Sequence, residues 1–289
     1  VLDASNGDVI ASASSPTYNL SAGFSTIIRK DYYDKLLKSP GRPLYNRAFL
    51  GNYTPGSILK PLVALAFLNS GVSPEEIVNC DGETIVNGVR IRCAARAGHG
   101  PLNLRGALAK SCNDYMIEHA TAIGLVPIAD VLRSAGIGRK TGVELPEIAG
   151  TFPSNASKKR SHRNAVRWNS YDTGLLSIGQ GVITLSPLQA AVYTAALANG
   201  GKIFRPHVVW KVVDSNGNVL YERKPEVVSN LRTTPRFLDE VRRGMFDVVN
   251  TPRGSGREGK VAGLELYGKT GSAQVGSGAN RILTTWFIS

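Results

Sequence analysis

The sequence predicts an α/β protein of the α+β kind, a mainly antiparallel sheet flanked by helices with an all-helical subdomain inserted. Three observations carry this. Strand-like segments lie towards both ends of the chain, at 1–14, 208–223, 265–275 and 282–288, while helical patterns fill the middle. Helix and strand do not alternate, which argues against βαβ units. The 289 residues are 42% hydrophobic and 19% charged, ordinary globular proportions and enough for one large domain.

The elements follow in order. Residues 1–14 read as two strands joined at Ser5-Asn6-Gly7-Asp8, because Asn-Gly supplies the positive φ of a tight hairpin. Residues 15–56 are loop-rich, with a short helix from Lys30 to Leu37. Ser57 to Asn69 reads as a helix closed by Gly71. Ser73-Pro-Glu-Glu76 carries the capping signal of a short helix. Residues 79–102 read as irregular, being rich in Gly and Cys. Asn103 caps a helix from Leu104 to Lys110. Helices follow at 114–123 and 126–135, the second closed by Gly136. Residues 150–185 read as a long surface stretch. Ser186-Pro187 opens a helix to Ala198 that Gly200-Gly201 stops. Val208 to Val213 and Val219 to Arg223 flank Asp214-Ser-Asn-Gly-Asn218, a second hairpin. Thr234 to Val249 is helical, and two strands close the chain. No internal repeat is visible.

The net charge of +12 implies an anionic neighbour. Most basic residues are dispersed, as on a solvated surface. The one concentration is Lys158-Lys-Arg-Ser-His-Arg163, extended by Arg167, which reads as a solvated loop. No zinc-finger spacing, RNA-recognition signature or heptad zipper accompanies it, so nucleic acid is not the expected partner. The longest apolar run, Leu62 to Leu68, falls far short of the ~20 residues of a membrane span. The chain opens inside what reads as a hairpin, so it is read as excised from a longer protein.

Chemistry concentrates in three short motifs. Ser57 and Lys60 are three apart at a helix start, in Pro55-Gly-Ser-Ile-Leu-Lys-Pro61, which puts a hydroxyl beside an amine. Serine needs a neighbouring base to become a nucleophile. Lysine serves only when neutral, so burial or nearby cations must lower its pKa. Ser111 and Asn113 are two apart and can face one cleft from a bent loop. Serine can relay a proton, and asparagine can hold a peptide amide with its donor and acceptor. Lys269-Thr270-Gly271, followed by Ser272, sits on a predicted strand. It offers a cation, a hydroxyl and a glycine that permits close approach. Each motif alone is common. A serine may otherwise cap a helix, and a strand glycine may mark a bulge. Together they come in order, at a helix start, an inter-helix loop and a strand.

Other features are decoys. Gly254-Ser-Gly-Arg-Glu-Gly259 fits a dinucleotide fingerprint but follows a helix rather than a strand. His119 and His207 are isolated and read as surface or satisfied core positions. Glu144 and Glu147 sit near the end of the helical region.

The three cysteines carry a separate signal. Cys80, Cys93, His99 and Cys112 are spaced C-x12-C-x5-H-x12-C. They could form a Cys₃His zinc site, with Asp81 able to replace one ligand. Alternatively Cys80 and Cys93 pair as a disulfide around a small loop, or all three thiols stay unlinked. A metal here would brace the loop of Ser111 and Asn113 as a structural staple and would not be a catalytic Lewis acid.

The trio S-x-x-K, S-x-N and K-T-G resembles the signature of penicillin-binding proteins and serine β-lactamases. The chain is similar over nearly its whole length to the transpeptidase domain of class B penicillin-binding proteins of the elongation, or penicillin-binding protein 2, type. The likeness includes Leu2-Asp-Ala-Ser-Asn-Gly-Asp-Val-Ile-Ala11, Gly98-His-Gly100, Asp172-Thr-Gly-Leu-Leu-Ser-Ile-Gly-Gln-Gly181, Thr184-Leu-Ser-Pro-Leu-Gln189, Lys269-Thr-Gly-Ser-Ala-Gln-Val275 and Thr285-Trp-Phe-Ile288. The resemblance implies the family's fold and a bacterial peptidoglycan D,D-transpeptidase. Ser57 would attack the D-Ala-D-Ala carbonyl of a stem peptide, and Lys60 would take its proton. Ser111 would pass a proton to the leaving amine, and Asn113 would hold the donor peptide. Lys269 and Thr270 would bind the terminal carboxylate, and the N–H groups of Ser57 and Ser272 would form the oxyanion hole. β-Lactams would acylate Ser57. No cofactor is implied for catalysis. The parent protein would be anchored at the periplasmic face of the inner membrane and would partner a membrane glycosyltransferase. A membrane anchor, a pedestal domain and a final strand and helix would lie outside this chain. A D,D-carboxypeptidase and a β-lactam sensor are the rival readings. Neither glutamate at 144 or 147 has the Glu-x-x-Leu-Asn context of a β-lactamase.

Overall fold

The computed structural model describes residues 1–23, 29–161, 167–276 and 282–289. His162 and Arg163 of the basic cluster lie outside the described residues. Helices α1 (Leu20–Gly23), α2 (Lys30–Lys38) and α3 (Arg47–Leu50) precede a 3₁₀ turn, Gly56–Leu59, that runs directly into α4 (Lys60–Asn69). Four short strands follow: β1 (Val78–Cys80), β2 (Glu83–Val86), β3 (Val89–Arg92) and β4 (Gly100–Leu102). Then come α5 (Leu104–Ala109), α6 (Asn113–Ile123), α7 (Leu125–Ser134), α8 (Asn155–Ser161), α9 (Ser170–Ser177) and α10 (Pro187–Ala198). Strands β5 (Lys202–Phe204), β6 (Lys211–Val213), β7 (Val219–Glu222) and β8 (Val227–Asn230) lead to α11 (Pro235–Asn250). A 3₁₀ turn at Arg257–Gly259 and strands β9 (Lys269–Val275) and β10 (Ile282–Ile288) complete the order.

The core is built around α4. Its residues are apolar on every side, and Leu62 through Phe67 are wholly buried. A helix apolar all round must lie inside the protein. It packs against α6, α7 and α11. Helix α11 is one-sided instead. It buries Leu238, Val241, Met245 and Val248, one stripe at three- and four-residue steps, and packs on α5 and α4. No single helix among the described residues is long and apolar enough to cross a membrane.

Local capping chemistry fixes the helix starts. The Asn103 side chain accepts from Gly106 N at the head of α5. Ser186 and Gln189 form a reciprocal capping box at the head of α10, with Pro187 in the first turn.

Every named strand pair is antiparallel, as expected. Among the described residues the strands form five two-stranded ladders rather than one continuous sheet. The longest, β9 with β10, runs from Lys269–Ile288 to Val275–Ile282. The N-terminal hairpin contracts to a single bridge between Leu2 and Val9. Its Asn6-Gly7 turn is present, with Gly7 at φ +90°. Asp8 leaves the hairpin to bridge in parallel to His207.

Three further expectations need correction. Ser73 to Glu76 is a turn closed by Glu76 N donating to Ser73 O, not a helix. The stretch 79–102, read as irregular, holds β1–β4, with β1 paired to β4 and β2 to β3. The stretch 150–185 contains α8 and α9, and α9 starts with its own capping box, Asn169 with Asp172.

Candidate active site

The Ser57 turn is held backbone to backbone. Gly56 adopts φ +56°, and a Cβ there would lie 2.6 Å from Ser272 O. A Cβ on Gly271 would meet Ile58 Cγ2 at 2.8 Å and Pro55 O at 3.0 Å. Only glycine allows β9 to lie this close to the turn, as the sequence suggested for Gly271. Gly56 N donates to Gly179 O, Tyr193 Oη to Ile58 O and Trp286 Nε1 to Thr54 O. The first N–H groups of such a turn have no partner within it, and Gly56 N finds one in Gly179 O. Ser57 itself is half-buried.

Lys60 is wholly buried below it. Its Nζ donates to Ser111 O at 2.7 Å, Asn113 Oδ1 at 2.8 Å, Cys112 O at 3.2 Å and Ser111 Oγ at 3.3 Å. Ser57 Oγ is not among its hydrogen-bond partners. The expected hydroxyl–amine pair is therefore one turn of chain apart but not bonded, because four acceptors from 111–113 draw the amine away. Catalytic contacts commonly tighten only once substrate is bound. Burial lowers the Lys60 pKa to about 8, against the pull of Cys112, Cys93, Asp114 and Cys80.

The Ser111 turn is the end of α5. Ser111 N donates to Leu108 O and Cys112 N to Ala107 O, the paired bonds of a Schellman motif. That motif puts its closing residue in the left-handed region, usually as glycine. Here the residue is Ser111, at φ +55°. A non-glycine residue held there stores strain. Neither Ser111 nor Asn113 caps α6: its N-cap is Cys112, without a side-chain bond. Asn113 instead accepts from Lys60 and donates Nδ2 to Arg92 O at 3.0 Å.

Lys269, the first residue of β9, is wholly buried, with Nζ donating to Thr270 O at 3.0 Å. Burial, then the charge of Lys60, holds its pKa well below the ordinary lysine value. Thr270 is half-buried and Ser272 exposed on the same strand. Ser57, Lys60, Ser111, Asn113, Lys269, Thr270, Gly271 and Ser272 thus come together from three distant segments.

Ser255 belongs here too, although no motif marks it. Thr270 Oγ1 donates to Ser255 Oγ at 2.9 Å, and Ser255 N donates to Ala109 O. It ties the third motif to the helix that carries the second. It lies within the glycine-rich decoy, which forms the turn after α11. The other decoys are structural. His207 is buried against Asp8, and His119 against the rings of Tyr115 and Phe67. Glu147 accepts from Thr141 N, Thr141 Oγ1 and Gly142 N. Glu144 accepts from Val208 N.

The cysteines and His99 also converge. One donor atom from each of Cys80, Cys93, His99 and Cys112 lies within 4.8 Å of all the others. His99 Nδ1 is 3.4 Å from Cys80 Sγ and 3.6 Å from Cys93 Sγ. Asn113 N donates to Cys93 Sγ at 3.3 Å, linking the cluster to the active site. All three cysteines are free, so the disulfide alternative is not formed. Asp81 is not in the cluster. Its carboxylate pairs with Asn79 Nδ2.

Residues 1–289 match the family described as the penicillin binding protein transpeptidase domain. Peptidoglycan D,D-transpeptidase MrdA of Acinetobacter baumannii is 33% identical over 284 residues, covering 96% of this chain and 41% of that protein. MrdA of Haemophilus influenzae is 32% identical over 282 residues, covering 95% and 42%. Pseudomonas aeruginosa PBP2, solved in complex with WCK 5153, superposes with TM-score 0.80 at 33% identity, over 95% of this chain and 62% of that one. Helicobacter pylori PBP2, solved with MreC, gives TM-score 0.80 at 31% identity, over 95% and 50%. The chain spans less than half the length of these curated relatives.

Proposed function

Because this chain belongs to the penicillin-binding protein transpeptidase domain family, we propose that it crosslinks peptidoglycan stem peptides through an acyl-enzyme on Ser57. The convergence of the three motifs around the Lys60 amine supports this most directly. Neutral Lys60 takes the Ser57 proton as Oγ attacks the carbonyl of the penultimate D-alanine. The oxyanion sits against the N–H groups of Ser57 and Ser272. Ser111, 3.3 Å from the Lys60 amine, passes a proton to the leaving D-alanine nitrogen as the C–N bond breaks. Asn113 holds the donor amide, and Thr270 with Lys269 holds the terminal carboxylate. The amine of a second strand then attacks the ester, forms the crosslink and releases Ser57.

A β-lactam stops this cycle at the ester. Intact-mass analysis after benzylpenicillin should show one adduct on the parent chain and none on Ser57→Ala. An undiminished adduct on the variant would refute the assignment. Incubation with a labelled stem peptide and an amine acceptor separates a crosslinking enzyme from a carboxypeptidase, which releases only the hydrolysed peptide.

The parent protein is proposed to act in the bacterial cell envelope beside a glycan-polymerising partner. Relatives solved with MreC and in a complex that coordinates polymerisation with crosslinking support that reading.

Cys80, Cys93, His99 and Cys112 are proposed to hold a structural zinc ion. A tetrahedral site with ordinary Zn–S and Zn–N bonds needs sulfur and nitrogen about 3.5 Å apart. The spacings of 3.4 and 3.6 Å fit. Four protein ligands leave no open position, so the metal would brace the Ser111 turn. Elemental analysis of the folded protein checks it, with one zinc per chain expected.

A further inference from the structure

The glycine-rich turn after α11, Gly254-Ser255-Gly256, holds a serine to which the proposed reaction gives no part. Its backbone is pinned on both sides of that serine. Gly254 N donates to Thr251 O and Gly256 N to Val248 O, while Ser255 N donates to Ala109 O. A Cβ on Gly254 would lie 2.3 Å from Val248 O, and one on Gly256 would lie 2.9 Å from Val248 Cγ1 and 3.4 Å from Thr270 Cγ2. Glycine at both places lets the turn press against the end of α11 and against β9. Ser255 is thereby held with Oγ 2.9 Å from Thr270 Oγ1.

Thr270 stands where that contact matters. Along β9, Lys269, Gly271 and Ala273 are buried, and Thr270, Ser272 and Gln274 alternate with them on the more exposed face. The Lys269 amine is turned into the protein and donates to Thr270 O. In the functional reading above, on which this inference rests, the terminal carboxylate of the substrate lies at Lys269 and Thr270. The direct hydrogen bond to it then falls to the Thr270 hydroxyl. A hydroxyl has one proton to give. While Thr270 Oγ1 donates to Ser255 Oγ, it turns only lone pairs to the carboxylate, and these repel it. Ser255 Oγ has no other hydrogen-bond partner among the described residues, so its own proton is free to reverse the bond.

We propose that Ser255 is a positioning residue for Thr270 and, through it, makes the site select an anionic chain end. When the carboxylate arrives both hydroxyls turn: Ser255 donates to Thr270 Oγ1, and Thr270 donates to the carboxylate. Neither proton leaves its oxygen. Donation into Thr270 polarises its O–H and strengthens it as a donor. A hydrogen bond to an ionised acceptor gains more from this than one to a neutral acceptor.

The test uses two D-alanyl thioester donors that differ only beyond the thioester, where one ends in a carboxylate and the other in a carboxamide. Acylation of Ser57 by each is followed in the parent chain, in Ser255→Ala and in Ser255→Thr. The amount of Ser57 that saturating benzylpenicillin acylates counts the competent sites in each protein, so that a loss of folded protein cancels. The parent should prefer the carboxylate donor by about tenfold. Ser255→Ala should lower that preference to about twofold by slowing the carboxylate donor alone, and Ser255→Thr, which keeps a hydroxyl, should restore it. In a Thr270→Val background Ser255→Ala should cause no further loss, because the two residues act as one unit. A merely structural tie between β9 and α5 would slow both donors equally. An unchanged ratio in Ser255→Ala, an alanine-like ratio in Ser255→Thr, or a parent without preference would each overturn the role of Ser255 while leaving the assignment of Ser57 intact. A parent chain that benzylpenicillin does not acylate would instead defeat the functional reading, and this role with it.

Discussion

Two turns meet at Lys60, and they are held in opposite ways. The Ser57 turn, 55–59, is fixed by close backbone packing of Gly56 and Gly271 and by neutral hydrogen bonds from Tyr193 and Trp286. Nothing in that set changes charge near neutral pH. The Ser111 turn is fixed by a buried lysine amine, a strained serine and a cluster of three thiols and an imidazole. Of that set the amine responds to pH, and the thiols to oxidation or metal. Ser57 is thus positioned by shape, and Ser111 by chemistry.

The sharpest way to break this contrast is to crowd the first turn. Gly271→Val places new carbon where 2.8 Å separates a Cβ from Ile58. It should slow acylation by benzylpenicillin about a hundredfold, because small displacements of a nucleophile are costly. Rapid-quench acylation measures this, and a rate within about threefold of the parent would show that shape does not set the turn.

The second test acts on the other side. Strong chelation, or His99→Ala, should slow acylation about tenfold, a size typical of lost support around a site. Hydrogen exchange should rise at 110–113 and stay unchanged in β9 and β10. Equal loosening of both regions would erase the distinction between the turns.

A smaller effect comes from the strain at Ser111. Glycine suits φ +55° and alanine does not, so Ser111→Gly should be more stable than Ser111→Ala by about 1 kcal/mol. Thermal melts compare them, and both should lose turnover on peptide. Alanine melting as high as glycine would mean that the turn is not strained.

The smallest effect is in acid. Burial depresses the pKa of His119, on the helix that Asn113 begins, despite the pull of Glu76 and Glu118. The unfolded chain then binds a proton more readily than the folded one. Stability from this source is complete above the unfolded histidine value of about 6.5 and falls as pH drops below it. His119→Gln should show a shallower loss of melting temperature between pH 7.5 and 5.5. An identical slope would remove His119 from the acid response.

Much of the site was legible because its signals are local. Ser57 and Lys60 are one turn apart beside a helix whose apolar run is unmistakable, and Ser111 with Asn113 sits at the junction of two helices, the first capped by Asn103. The caps at Asn103 and Ser186 are side-chain bonds within three residues, so sequence alone determined those helix starts. The identity of the metal-ligand candidates was likewise set by residue type.

Tertiary structure decided what depends on partners far along the chain. Strands β1–β4 exist through pairings across a Gly-rich stretch with no alternating pattern, and the N-terminal hairpin gives way where Asp8 turns to His207. Ser255 has no motif and gains its place only because α5 and β9 meet beside it. A cavity lined by Lys158 and Asp172 arises because α8 and α9, short helices in a stretch that reads as surface, stand across it from the end of β9. Sequence determined the reactive groups and the helix ends, since both depend on near neighbours. Only the fold decided which strands pair and which lysines have their pKa lowered by burial, since each depends on surfaces that distant segments bury together.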